Sequence, residues 1–141
     1  MSDPILTPRL VVDGADDAIA LYQRVFGAEL LERFATPSNK VVHAAMSIRG
    51  AVFAVTERDP EYNRCPKDIG DSPVLLHVMV DDPDAAAAAL VEAGGELRIA
   101  VDDRFYGNRE GRVADPFGHL WIVSKKIRDV PHDEIHAQMS D

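Results

Sequence analysis

The chain has 141 residues, a formal net charge of −9 and 46% hydrophobic residues. That length holds one domain, or two small fused halves sharing a core, and the apolar fraction excludes wholesale disorder. The acidic excess, 24 Asp and Glu against 15 Lys and Arg, argues against a nucleic-acid partner, which needs clustered cations to neutralise phosphate, and is compatible with a cationic small molecule.

The opening Met1-Ser2-Asp3-Pro4 shows no basic or apolar region of a secretory signal. No apolar run approaches the roughly 20 residues that span a bilayer. A cytoplasmic protein without a membrane partner is expected. Ile5 to Val12 alternates and is rich in β-formers, so it predicts a strand, with Pro8 placing it at an edge or a bulge. Asp13-Gly14 turns the chain into a helix that Asp16 or Asp17 can cap, with Ala18, Leu21, Tyr22, Val25 and Phe26 as its apolar stripe and Gly27 as its stop. Strands are predicted over Leu30–Ala35, Val41–Ile48 and Ala51–Thr56. Residues 57–72 read as a polar loop, with Glu57-Arg58-Asp59 in solvent and Cys65 as a spare surface thiol, too solitary for a disulfide framework or a Cys-rich zinc site.

The second half repeats the plan. Val74–Val80 predicts a strand and Asp81-Asp82-Pro83-Asp84 opens a helix that Gly94-Gly95 stops. Strands near Glu96–Val101, Gly111–Ala114 and Leu120–Ser124 follow, with Asp103 to Arg112 as a loop. Val12-Asp13 aligns with Val80-Asp81 at an offset of 68 (80 − 12), Glu29 with Glu96 at 67 (96 − 29) and Gly50 with Gly118 at 68 (118 − 50). A near-constant offset over half the chain points to two copies of one strand–helix–three-strand unit. The expected boundaries are one domain over 5–130, with module one at 5–57, a linker at 58–72, module two at 73–125, and a polar tail at 131–141 that either forms a short helix capped at Asp129 or Asp133 or frays.

Arg112-Val113-Ala114-Asp115-Pro116-Phe117-Gly118-His119-Leu120-Trp121 resembles the hallmark turn and final strand of the vicinal oxygen chelate superfamily, which includes glyoxalase I, bleomycin resistance proteins, fosfomycin enzymes and extradiol dioxygenases. Val11-Val12-Asp13-Gly14 running into Tyr22–Glu29, His77–Asp84 and Phe105-Tyr106-Gly107-Asn108-Arg109 fit the same pattern, closest to small stand-alone glyoxalase-like or bleomycin-resistance-like proteins. The resemblance implies an α+β fold of two βαβββ modules curling into a half-open barrel around a cavity, and a homodimer. It also implies that the enzymes of the group hold one divalent metal on the first and last strand of each module. Carried over by position, those places are Thr7, Ala54, Leu75 and Ile122, none of them a good ligand for a divalent cation.

His77 shares the cavity face of its strand, and Arg9 is its counterpart in the first module; an Arg there disfavours a metal and suits a carboxylate, phosphate or phenolate. His43 is expected at the surface, His119 in a structural hydrogen bond, and His132 and His136 in the polar tail. Strand alternation turns Thr7, Arg9 and Val11 inward beside Val52, Ala54 and Thr56, and in the second module Leu75, His77, Met79, Leu120, Ile122 and Ser124, with Trp121 on the core side. The expected ligand-binding set is Arg9, Leu75, His77, Met79, Phe105, Tyr106, Arg109 and Ile122, with no metal and no cofactor. The aromatic loop residues would stack on a flat ligand. The leading reading is a protein that sequesters a drug or metabolite in an apolar cleft. The alternative is a metal-dependent lyase, isomerase or dioxygenase with a shifted site around His77, with or without His43.

Overall fold

The computed structural model describes residues 3–141. Of the opening read as lacking a signal, Met1 and Ser2 lie outside the described residues. The elements in chain order are β1 (Arg9–Val12), α1 (Ala15–Phe26), β2 (Glu29–Ala35), β3 (Val41–Ile48), β4 (Ala51–Glu57), α2 (Pro66–Ile69), β5 (Leu75–Met79), α3 (Pro83–Glu92), β6 (Glu96–Asp103), β7 (Asn108–Ala114), β8 (Leu120–Lys126) and α4 (His132–Gln138). The class is α+β, and the chain divides into two compact units. The first runs to Pro73 and takes in Phe117–His119; the second is Val74–Pro116 with Leu120–Asp141.

In the first unit the sheet order is β1-β4-β3-β2, with β1 parallel to β4 and the other pairs antiparallel. Leu10, Val12, Phe53, Val55, Ala44 and Met46 are buried on the face that α1 covers, where Tyr22 meets Phe53 edge-on with ring centroids 5.9 Å apart. The second unit repeats this with order β5-β8-β7-β6, β5 parallel to β8, and a core of Val78, Val113, Trp121 and Val123 against Ala86, Ala87 and Leu90 of α3. Each unit is therefore the βαβββ module that the repeat predicts.

The first strand is shorter than expected: it starts at Arg9, and Ile5 and Leu6 are exposed. Pro8 has no N–H to give a ladder, although its carbonyl accepts from the Ala54 amide at 2.8 Å. Thr7 therefore lies outside β1 rather than pointing inward from it. Residues 57–72 also differ from the expected loop. Cys65 is buried rather than a surface thiol: it heads α2, and its amide and thiol both donate to Asp68 Oδ2, at 3.0 and 3.3 Å. Pro66 at the first helical position sets the φ that starts this turn. Arg58 pairs with Asp68 at 2.7 Å and Lys40 with Asp59 at 2.7 Å, so these charges are organised rather than merely solvated. In the tail, α4 starts after Pro131 without a side-chain cap and buries no residue.

The start of α1 differs from expectation as well. Neither Asp16 nor Asp17 caps it; the N-cap is Gly14 at φ 116°, and the amides of Gly14 and Ala15 donate to the two oxygens of Glu57, at 3.0 and 2.9 Å. Glu57 stands at the end of β4 beside Val12 of β1, so the parallel pair delivers a carboxylate to the positive end of the helix. The second unit solves the same problem locally: Asp82, 68 positions beyond Gly14 (82 − 14), accepts from the Ala85 amide at 3.0 Å.

The signature turn is structural. In the first unit Phe117 packs edge-on against Tyr22, and His119 donates from Nε2 to the Val11 carbonyl at 2.8 Å. In the second unit the Trp121 indole N–H donates to buried Asp115 at 2.8 Å. Replacing Glu57 by Ala leaves the Gly14 and Ala15 amides at the start of α1 without that acceptor. It is expected to lower unfolding stability by about 1–2 kcal/mol, the range for a lost helix cap, read as a shift in the urea midpoint with unchanged slope.

Candidate functional site

In the second unit the strand register decides which side chains meet on the sheet face away from α3. The parallel pairing sets Leu75 beside Leu120, His77 beside Ile122 and Met79 beside Ser124. Across the antiparallel pair, Ser124 faces Glu110 and Ile122 faces Arg112. Two rows result, Met79–Ser124–Glu110 and His77–Ile122–Arg112. Alternation sends the neighbours Val78, Val113 and Val123 into the core.

Glu110 is the centre of the first row. It accepts hydrogen bonds from the Tyr106 hydroxyl, from Ser124 Oγ at 2.9 Å and from Asn108 Nδ2 at 3.4 Å, and His77 Nε2 lies 3.8 Å from its Oε1. Burial pushes its carboxyl pKa up, but the donors and the His77 charge outweigh this and hold it below its ordinary 4.5. Burial, reinforced by the Glu110 carboxylate, pushes the Tyr106 hydroxyl up to about 12. The phenol thus remains a proton donor at neutral pH and the carboxylate an acceptor.

The tight turn before β7 positions Tyr106. Arg104 N donates to the Asn108 carbonyl at 2.8 Å, and the Arg104 guanidinium bonds the carbonyls of Ala100 and Glu110. Gly107 sits at φ 101°, with room for a Cβ only 2.4 Å from the Arg128 carbonyl, so no other residue fits there. Around these groups lies a pocket of about 230 Å³ lined by Ile99, Arg104, Tyr106, Glu110, Gly111, Arg112 and Ile122.

The expected binding set is brought together only in part. His77, Tyr106 and Ile122 meet around Glu110 and the pocket; Leu75 and Met79 flank them on the same face, each more than 40% exposed. Phe105 packs edge-on against Tyr106, and its carbonyl accepts from Arg128. Arg109 goes elsewhere: its guanidinium clasps Asp84 of α3 at 2.8 and 2.9 Å and Asp103 at 2.9 Å. Both Arg109 and Arg112 stand on β7, which begins at Asn108, rather than in a loop. Sequence reading missed Glu110. Alternation at Asn108, Glu110 and Arg112 carries that signal once the strand is begun at Asn108, three residues before the expected Gly111.

Arg9 belongs to the first unit, beside Ala54, and donates to the Val42 carbonyl at 3.2 Å. His43, on the same face, is half-buried rather than a surface residue. It stacks on Phe34 with ring centroids 5.8 Å apart, and its Nε2 lies 3.4 Å from Glu32.

The profile of the glyoxalase/bleomycin resistance protein/dioxygenase superfamily matches residues 4–123. The chain belongs to this superfamily. An uncharacterized protein of Mycobacterium bovis is 39% identical over 98% of this chain and 93% of its own length. Among solved structures, a putative 3-demethylubiquinone-9 3-methyltransferase, PhnB protein, from Bacillus cereus has a TM-score of 0.69 at 17% identity, covering 86% of this chain and 99% of that one. The fosfomycin resistance protein FosX of Listeria monocytogenes, solved with Mn(II) and sulfate, has a TM-score of 0.65 at 15% identity, covering 99% and 100%. At such identities the likeness concerns the fold.

The metal that superfamily enzymes carry does not fit the residues present. Ala54, Leu75 and Ile122 have no side-chain donor atom, and Thr7 precedes β1. Among the described residues no three His, Cys, Asp or Glu side chains gather as a metal site. No helix among them is long and apolar enough to cross a membrane.

Glu110 has a pH signature. Its folded pKa lies below its ordinary 4.5, so its contribution is complete above that value and is lost as pH falls through the folded pKa. Glu110→Gln is expected to lower stability by about 1–2 kcal/mol at pH 7. The gap from wild type should narrow steadily below pH 4.5 in urea titrations. A gap that does not vary with pH would assign the loss to packing alone.

Proposed function

We propose that the chain is a small-molecule-binding protein of the bleomycin-resistance-like type, which sequesters a drug or metabolite on the open face of its second sheet without a metal. The observation that carries this is the pocket around Ile99, Ile122 and Tyr106, where an apolar and aromatic wall meets the few polar groups of Glu110, Arg104 and Arg112. Such a mixture is the usual profile of a ligand pocket. Its volume of about 230 Å³ is below the common range of roughly 300–1,000 Å³, which suits a small ring compound or one end of a larger ligand. An aromatic ligand gains from Tyr106 and Phe105, which already meet at right angles, 5.2 Å apart. Work as a cytoplasmic homodimer completes the proposal.

The test is a thermal-shift and calorimetric screen of aromatic compounds, drugs among them, on EDTA-treated protein. At least one should bind saturably at one per chain, and Ile122→Trp, which fills the pocket wall, should weaken it by tenfold or more (about 1.4 kcal/mol). Binding seen only after a divalent metal is added, or metal-restored turnover of a glyoxal adduct or catechol that His77→Ala abolishes, would overturn the reading in favour of a metal-dependent enzyme.

A further inference from the structure

We propose that the second unit's pocket is an oxyanion subsite, in which Arg112 holds the carboxylate or phosphonate group of a ligand whose apolar body rests on Ile99 and Ile122. The inference rests on the small-molecule reading of the same pocket and adds the chemical class of what enters it.

Arg112 is half-buried on β7, facing Ile122 across the β7–β8 pair and Ile99 across the β6–β7 pair. Its Nε is buried and has no hydrogen-bond partner among the described residues. A buried guanidinium N–H without an acceptor is costly, and the groups near it are already committed. Glu110, two residues away on the same face, spends its carboxylate on Tyr106 and Ser124. Arg104, the other cation of the pocket, is fixed on the carbonyls of Ala100 and Glu110 and keeps its charge. The lining therefore carries two guanidinium groups against one carboxylate whose lone pairs are occupied. The charge of both arginines acts on the Tyr106 hydroxyl, lowering its pKa against the net rise, so their field reaches the pocket interior.

A planar guanidinium fork with a free donor, set between two isoleucines, matches an oxyanion attached to an apolar group. The chain's net charge of −9 favours a cation at long range, but that field is screened by salt, whereas the pocket lining acts at contact distance.

The test uses four probes of one size on EDTA-treated protein: benzoate, phenylphosphonate, neutral benzamide and cationic benzylammonium, with affinities read by calorimetry or ligand-observed NMR. Benzoate and phenylphosphonate are expected to bind about tenfold tighter than benzamide (a factor that corresponds to about 1.4 kcal/mol). Arg112→Met should bring benzoate down to the affinity of benzamide, and Arg112→Lys should keep part of the preference, having charge but no fork. Should Arg112→Met fail to fold, Arg112→Lys and the salt dependence in the wild type decide: the anion preference must shrink as ionic strength rises. Equal binding of benzoate and benzamide, tightest binding of benzylammonium, or benzoate binding undiminished by Arg112→Met would each overturn the oxyanion subsite while leaving a small-molecule pocket in place. Failure of all four probes to bind would overturn the oxyanion subsite, and the aromatic screen on the same EDTA-treated protein then decides the small-molecule reading separately.

Discussion

Each unit is organised by a parallel pair made of its first and last strands, β1 with β4 and β5 with β8. Because side chains alternate along a strand, one pairing register fixes which residues enter the core and which stand on the open face; a slip of one residue would exchange the two sets. The pairing also brings the end of the module back to its beginning. In the first unit it carries Glu57 to the start of α1, and in the second it sets Ile122 beside His77. Two of the positions that the family resemblance marks for metal ligands lie in these pairs: Ala54 beside Arg9, and Ile122 beside His77. The donor-poor residues are thus a property of the folded pairs and not only of the aligned sequence.

On that scaffold the second unit has gathered its polar chemistry one strand further in. Glu110 is the organising group there, satisfied by Tyr106, Ser124 and Asn108 and held ionised, which suits a rigid wall better than a cation ligand. Arg112 in this unit keeps a buried donor, its Nε, without a partner among the described residues. The first unit, with the same topology, places half-buried His43 near Phe34 and Glu32 on its open face. The two units share one frame, and the side chains on their corresponding faces differ.

Much of the frame was legible in the sequence. The repeat offset, the Gly27 stop, the Asp82-Pro83 start and the Asp115–Trp121 turn each correspond to a local rule, and each has its counterpart in the structure. What escaped depends on contacts distant in sequence. The cap of α1 comes from Glu57, more than forty residues away, so a search among Asp16 and Asp17 could not find it. Cys65 is buried because a short proline-started helix folds it inward, within a stretch whose composition reads as loop. Glu110 was hidden because Asn108–Gly111 is polar and follows a Tyr-Gly turn, which resembles a loop until the β8 pairing is seen. Arg109 reads as a ligand-binding residue by type, yet in the structure it pairs with Asp84 and Asp103, and no spacing rule announces those partners.

Metal-free binding of a small molecule is the proposal most exposed to a direct test. Elemental analysis of untagged protein, before and after incubation with Zn²⁺, Mn²⁺, Ni²⁺ and Fe²⁺ followed by desalting, tests it most directly. A metal content well below one per chain under every condition is expected. Retention of one equivalent of a single metal, lost in His77→Ala, would contradict it.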